Sequence, residues 1–440
     1  MSASTPHGPT QRSARRSRTR TTPGGLSLSN PFRRLALLCV AAALLCFCEP
    51  THSSAQPLNP QFTTHADPLD FDPIVRDGYN HFYNLDYDTS IARFDEVIEA
   101  HPQEPIAYAY ALQATIFREL YHQDLLDTTY YAHDSFLTNQ RKVDIPPANR
   151  QRIEYLANQV VTLSDQRLKG NPRDKNALFA RGFAKGLHAA FVTLVDHSWF
   201  AAARQGLSAR NDSEQVLKID PDYADAQMAI GIQQFAVASL PGVVRLVVGI
   251  AGVGGNKERG LKLLRISAEK GIITSVESRT TLSLFLRHDA RYSEALVVQH
   301  GLAQEFPHNY LFRLEVANLA KDRGDGMGAI PIYKQVIEDA RKPGYFVDPR
   351  LQMALFGLAD TERGQNLVAD AAKHYLEAAA QPICSDWLRK RAQLNAGEML
   401  DLLHDRNAAI AQYKLALTAG GDQSQAEVAH RYLQTPYTGK

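Results

Sequence analysis

Apolar residues recur along this chain at intervals of three and four, and no run of alternating β-branched residues closes on an Asn-Gly or Asp-Gly turn. The pattern predicts helices throughout and an all-α fold. From residue 148 to 170, Ile153, Leu156, Val160, Val161, Leu163 and Leu168 form one apolar stripe. Residues 423–433 predict a polar helix at the C-terminal end, and residues 56–70, with Pro57, Pro60 and Pro68, read as an extended lead-in. One spacing then returns. A small residue is followed four positions later by an aromatic and three beyond that by a small or β-branched residue: Ala329, Tyr333, Val336; Ala371, Tyr375, Ala378; Ala409, Tyr413, Ala416; and, as a variant, Ser90, Phe94, Val97. Small residues let two antiparallel helices approach, and the ring fills the space toward the next pair. The helix ahead of each copy carries its own small residue, Gly78, Ala317, Ala359 or Gly397.

This spacing resembles the second helix of a tetratricopeptide repeat (TPR), whose period is about 34 residues. The resemblance implies an α-α superhelix, a solenoid of helical hairpins, over residues 71–423, with a capping helix and tail over 424–440. About nine or ten helix pairs fit the length. Pro102 and Pro172 lie two periods apart, whereas the intervals from Pro172 to Pro221 and to Pro307 exceed whole periods, so the stretch 173–270 is expected to hold lengthened helices or insertions. In a TPR the first helix of each pair faces the concave side. That placement assigns Tyr79, Phe82, Asn318, Lys321, Asp360, Arg363, Glu398 and Asp401 to a partner-binding face. Val75, Leu314, Phe356 and Leu394 stand where a clamp for a terminal carboxylate needs a cation, so apolar anchors on a protein or peptide partner are expected.

A central segment departs from the template. Leu240, Pro241, Arg245, Leu246, Gly252, Gly255, Asn256, Lys257, Gly260 and Leu261 resemble the Iml2/TTC39 family of TPR-related proteins, a family defined by architecture. Its glycines satisfy neither GxxxxGK[ST] nor GxGxxG and follow no strand, so they read as a turn with Asn256 capping the next helix. Leu246, Val247, Val248 and Ile250 are too few to cross a bilayer. They predict a buried plug or, alternatively, a contact with a hydrophobic ligand or the membrane surface.

Charge changes the picture only at the N-terminus. The first 55 residues hold seven arginines and one acid, Glu49; without them 41 basic residues face 46 acidic ones, which gives no electrostatic footprint for nucleic acid. Arg33 and Arg34 precede the apolar run 35–48, and Ser53-Ser54-Ala55 follows it, in the order of a Sec-type signal cleaved near Gln56. Export to the periplasm or beyond is expected, with an uncleaved inner-membrane anchor as the alternative. Three of the four cysteines lie in that run; Cys384 remains, with a small apolar plug near a helix end as its expected role. No HExxH, G-x-S-x-G or cysteine-histidine cluster appears, and no cofactor or metal is implied. Asp86, Asp88 and Ser90 open like a calcium loop but lack its glycine and closing glutamate. His188, near Asp196 and His197, is expected at a helix end bonded to a carbonyl. The expected function is an exported, non-enzymatic scaffold for protein–protein interactions; the alternative is an envelope protein that binds a hydrophobic ligand or membrane through residues 240–254.

Overall fold

The computed structural model describes residues 65–131, 143–239, 254–418 and 423–439. The signal-like region and the apolar residues Leu246, Val247, Val248 and Ile250 lie outside them. The described residues form an all-α solenoid of TPR-like helical hairpins. Asp67 and Asp70 cap each other's backbone in a short 3-10 turn, and Asp72 caps α1 (Pro73–Tyr83), whose first position takes the proline. Asp86 caps α2 (Tyr87–Ala100), so the calcium-like acids are helix starts. There follow α3 (Pro105–His122) with α4 (Pro147–Gly170), α5 (Lys175–Leu194) with α6 (Trp199–Ile219), and α7 (Gln227–Ala238) with α8 (Lys257–Lys270). The series continues with α9 (Ser275–His288) and α10 (Tyr292–Glu305), α11 (Tyr310–Asp322) and α12 (Gly326–Ala340), α13 (Leu351–Gly364) and α14 (Val368–Ala380), α15 (Asp386–Leu402) and α16 (Arg406–Thr418). The last described helix is α17 (Gln423–Gln434).

The described helices make eight hairpins and a closing helix. The stretch between Pro102 and Pro172 holds one hairpin rather than two, because α3 has 18 residues, α4 has 24, and a long insert joins them. Long helices also absorb length in the middle, where α5 and α6 have 20 and 21 residues.

The regular hairpins turn in one way. Leu85, Ala290, Gly324, Asn366 and His404 all have positive φ, from 56° to 90°, at the same place between first and second helix. In each, that residue's N–H bonds back three residues and the next N–H bonds back five, as in Asp86 N–H to the His81 carbonyl and Asp405 N–H to that of Leu400. This is the Schellman closure of a helix C-terminus. Asp124 ends α3 in the same manner, with φ 53°, but the chain then leaves the hairpin path.

The repeated spacing is a packing device. A Cβ on Gly78 would lie 2.5 Å from the Phe94 ring, and one on Gly397 would lie 2.5 Å from the Tyr413 ring, so ring and glycine are fitted within one hairpin. Tyr333 reaches onward instead: a Cβ on Gly357, in the next hairpin, would sit 2.7 Å from its ring. At the centre, a Cβ on Gly260 would meet the Gly231 carbonyl oxygen at 2.7 Å, which brings the backbones of α7 and α8 together. Asn256 caps α8 by accepting from Arg259 N–H, and Gly255 is pressed against the end of α7. Cys384 is buried ahead of α15.

Candidate functional site

The superhelix curls until its N-terminal hairpins meet hairpins five to seven. Gln113 on α3 donates to Glu277 on α9 at 2.6 Å, and Asn309 Nδ2 donates to the Tyr83 carbonyl at 2.8 Å. The first residues of the insert after α3, up to Thr129, then meet α9, α11 and the start of α13. Arg287, 3% exposed, donates to Thr128 Oγ1 at 2.6 Å and to Glu315 at 3.0 Å, and pairs with Asp322 at 2.6 Å. Burial works against its charge, yet Glu315 and Asp322 hold the guanidinium pKa above its ordinary value. Arg350 pairs with Asp124 at 2.9 Å and donates to the His122 carbonyl at 2.7 Å, while Gln352 donates to the same carboxylate at 3.1 Å. Tyr121 donates to the Asp348 carbonyl.

The far end of the inner face is covered by the C-terminal tail. Tyr437 N–H donates to Asp401 Oδ2 at 2.8 Å, and the Tyr437 ring lies 5.7 Å from the Arg363 guanidinium. Arg363 pairs with Glu398 at 2.7 Å, and Asp401 also accepts from Tyr413 at 2.8 Å and from Arg406 at 3.0 Å.

Between the described start of the insert and the tail lies a polar and aromatic pocket of about 590 Å³, lined by α11, α13, α15 and residues 124–129. The eight residues assigned to a partner-binding face therefore separate into three groups. Tyr79 and Phe82 are in the core of the first hairpin, where Tyr79 donates to Gln113 at 3.0 Å. Arg363, Glu398 and Asp401 are engaged with one another's neighbours and the tail. Asn318, Lys321 and Asp360 come together in the pocket, joined by Phe356, Trp387, Arg391, Asp124 and Asp127.

Each of the pocket's acids is already engaged through at least one oxygen. Asp124 holds Arg350, Asp360 accepts from Tyr375 at 2.5 Å, and Asp127 accepts from Thr129 N–H at 2.9 Å and from Asn318 at 3.4 Å. Asn318 is itself fixed by Tyr333, whose hydroxyl donates to it at 2.5 Å. The cations are not matched in this way. Among the described residues no carboxylate forms an ion pair with Lys321 or Arg391. Arg391 instead lies over the rings of Phe356 and Trp387, 5.1 and 5.6 Å from their centroids. Trp387 and Arg391 were missed by sequence reasoning because the template projects the middle of each first helix inward, and these residues sit in the first turns of α15.

His188 is bonded to side chains and does not stand at a helix end. It stands inside α5, with Nδ1 3.0 Å from Gln205 Oε1 and Nε2 3.0 Å from Glu154 Oε1, and so ties α5 to α6 and α4. Asp196 pairs with Arg150 at 2.9 Å, apart from it. Among the described residues no group of His, Cys, Asp and Glu is arranged to hold a metal ion, and no helix is long and apolar enough to cross a membrane.

No family model matches the chain, and no curated protein sequence matches it. Among solved structures, it is similar to the APC/C hetero-tetramer Cut9-Hcn1 at 10% identity and a TM-score of 0.46, over 85% of this chain and 58% of that one. Yeast Tom70 gives 11% identity and 0.38 over 83% of this chain and 89% of that chain. A tetratricopeptide repeat protein from Parabacteroides merdae gives 13% and 0.32, over 76% of this chain and 99% of its own. The chain spans little more than half the length of the Cut9-Hcn1 chain. At these identities and TM-scores the likeness carries nothing about function.

Proposed function

We propose that the protein is a non-enzymatic interaction scaffold, working after export in the periplasm or outside the cell. It takes a short segment of a protein partner into the pocket between α11, α13 and α15. The observation that carries this reading is the pair Lys321 and Arg391, two cations without a described ion-pair partner beside an aromatic surface, on an inner face where Arg287, Arg350, Arg363 and Arg406 are all paired. Such a site favours an acidic side chain next to an apolar or aromatic anchor. Substituting Lys321→Glu and Arg391→Glu together, or Trp387→Ala, is expected to abolish partner capture by crosslinking in the native envelope while helical content by circular dichroism is unchanged. Full retention of every captured partner in folded variants would remove the pocket from the reading.

Export rests on residues 33–55, and N-terminal sequencing of the secreted chain is expected to begin near Gln56. A mature chain that keeps residues 35–48 would instead be anchored. Kinship with the Iml2/TTC39 family is supported by the role of Gly255 and Gly260, whose backbones lie too close to α7 for any side chain.

A further inference from the structure

The last residues of the chain lie on the inner face as an irregular, non-helical segment. α17 closes with the Thr435 N–H bonded to the Arg431 carbonyl at 2.9 Å, and Pro436, which has no N–H to give, cannot continue it. Beyond that point a single side chain makes the contact. Thr435, Pro436, Thr438 and Gly439 are exposed, whereas Tyr437 is half-buried. Its N–H donates to Asp401 Oδ2 at 2.8 Å, and its hydroxyl accepts from Arg363 at 3.2 Å. Its ring lies 5.7 Å from the Arg363 guanidinium and 5.3 Å from the Tyr432 ring.

The residues beneath it, Arg363, Glu398 and Asp401, are three of those that TPR geometry assigns to a partner-binding face. None depends on the tail for a counter-charge. Arg363 keeps Glu398 at 2.7 Å, and Asp401 keeps Arg406 at 3.0 Å and the Tyr413 hydroxyl at 2.8 Å. α17 stays in place without the tail, because Arg406 also holds the Tyr432 and Leu433 carbonyls at 2.7 and 2.9 Å. Lifting Tyr437 therefore strands no buried ion. The start of the insert differs, since Asp124 and Arg350 neutralise each other at 4% and 6% exposure. What the tail contributes is one N–H bond to a carboxylate, one hydroxyl contact and one cation–π contact, all of which a second segment of the same kind could supply.

We infer that Tyr437 is a ligand of its own chain: it fills in cis a subsite for an extended segment carrying an aromatic residue, and a partner with such a residue displaces it. The subsite adjoins the pocket, since Arg363 stands one turn along α13 from Asp360 and Glu398 two turns along α15 from Arg391. The inference rests on the proposed scaffold function for the existence of a partner, but the subsite is tested without one.

The test compares the full mature chain with its Tyr437→Ala variant. The probe is a fluorescein-labelled peptide of residues 434–440, and binding is followed by fluorescence anisotropy. A tail tethered beside its own site has an effective concentration in the millimolar range. The unaltered chain is accordingly expected to bind the peptide at least about tenfold more weakly than Tyr437→Ala, for which the Kd is then about 0.1 mM or tighter. The same peptide with alanine in place of the tyrosine is expected to bind neither chain. The pocket is read separately, because Lys321→Glu with Arg391→Glu leaves Tyr437 and its partners untouched. Binding of the probe to neither chain, equal binding to both, or equal binding of the alanine peptide would each overturn the inference. A Tyr437→Ala chain without its helical content by circular dichroism would do so as well, since a displaceable tail is not needed for folding.

Discussion

A tyrosine can be buried at little cost when its hydroxyl finds an acceptor, and six of the seven most deeply buried tyrosines do so. Tyr110 bonds Asp70, Tyr333 bonds Asn318, Tyr375 bonds Asp360 and Tyr413 bonds Asp401, while Tyr121 and Tyr310 bond carbonyls; Tyr223 has no partner among the described residues. The repeat tyrosines Tyr333, Tyr375 and Tyr413 therefore each supply both volume and one bond to the preceding helix. Tyr413→Ala is expected to cost roughly 3–5 kcal/mol in urea unfolding, and Tyr413→Phe about 1 kcal/mol, since Asp401 keeps Arg406 and the Tyr437 N–H. An unchanged midpoint for Tyr413→Ala would remove the last hairpin from the packing scheme. The buried acids at the N-terminus make a different prediction. Burial, aided by Glu104 and only partly offset by the Leu69 N–H, raises the Asp67 carboxyl from 3.8 to about 6. The folded state then holds this proton more tightly than the unfolded chain, so stability is lost as pH rises between those values and the loss is complete above them, on the order of 2–3 kcal/mol. Asp67→Asn keeps the cap, so its gain in melting temperature is expected to be larger at pH 7.5 than at pH 4.5; an equal gain at both would contradict the assignment. These residue roles were legible unevenly. The aromatic spacing and the cap at Asn256 are local patterns, whereas His188 gave no such signal, because its two partners come from other helices.

Between elements, the interval of 70 residues from Pro102 to Pro172 imitates two repeats because an 18-residue helix, an insert and a 24-residue helix happen to sum to that length. Period alone cannot distinguish the cases. The positive-φ turns that would have marked the hairpins are hidden as well, since Leu85, Ala290, Asn366 and His404 stand where glycine is the usual signal. Ion pairs around α3 differ greatly in worth, and one of them holds the insert. Asp124 and Arg350 are 4% and 6% exposed, so removing the carboxylate leaves a buried cation without its counter-charge. Asp124→Asn, which tolerates the positive φ, is expected to destabilise by about 3 kcal/mol. Asp88 pairs with Arg118 but is 82% exposed, and Asp88→Asn is expected to change stability by less than about 0.5 kcal/mol. Equal effects in chemical denaturation would show that the insert is not anchored through Arg350.

At the scale of the whole molecule, the solenoid closes on itself: residues more than 200 positions apart meet at Asp124–Arg350 and at Tyr83–Asn309. No sequence pattern announces such contacts, because each partner alone looks like an ordinary residue at the end of a first helix. The fold class was therefore legible and the closure was not. That difference bears on the site: an open TPR array offers its entire inner face, whereas here the start of the insert and the C-terminal tail contact parts of it, on either side of the pocket around Lys321, Asp360, Trp387 and Arg391. The most direct test places a photo-crosslinking amino acid singly at Lys321, inside the pocket, and at Val297, which is 75% exposed on α10, and illuminates the native envelope. A discrete protein adduct from position 321 and none from position 297 is the predicted result; equal adducts from both positions, or none from position 321 in a folded chain, would contradict a scaffold that receives its partner in the concave pocket.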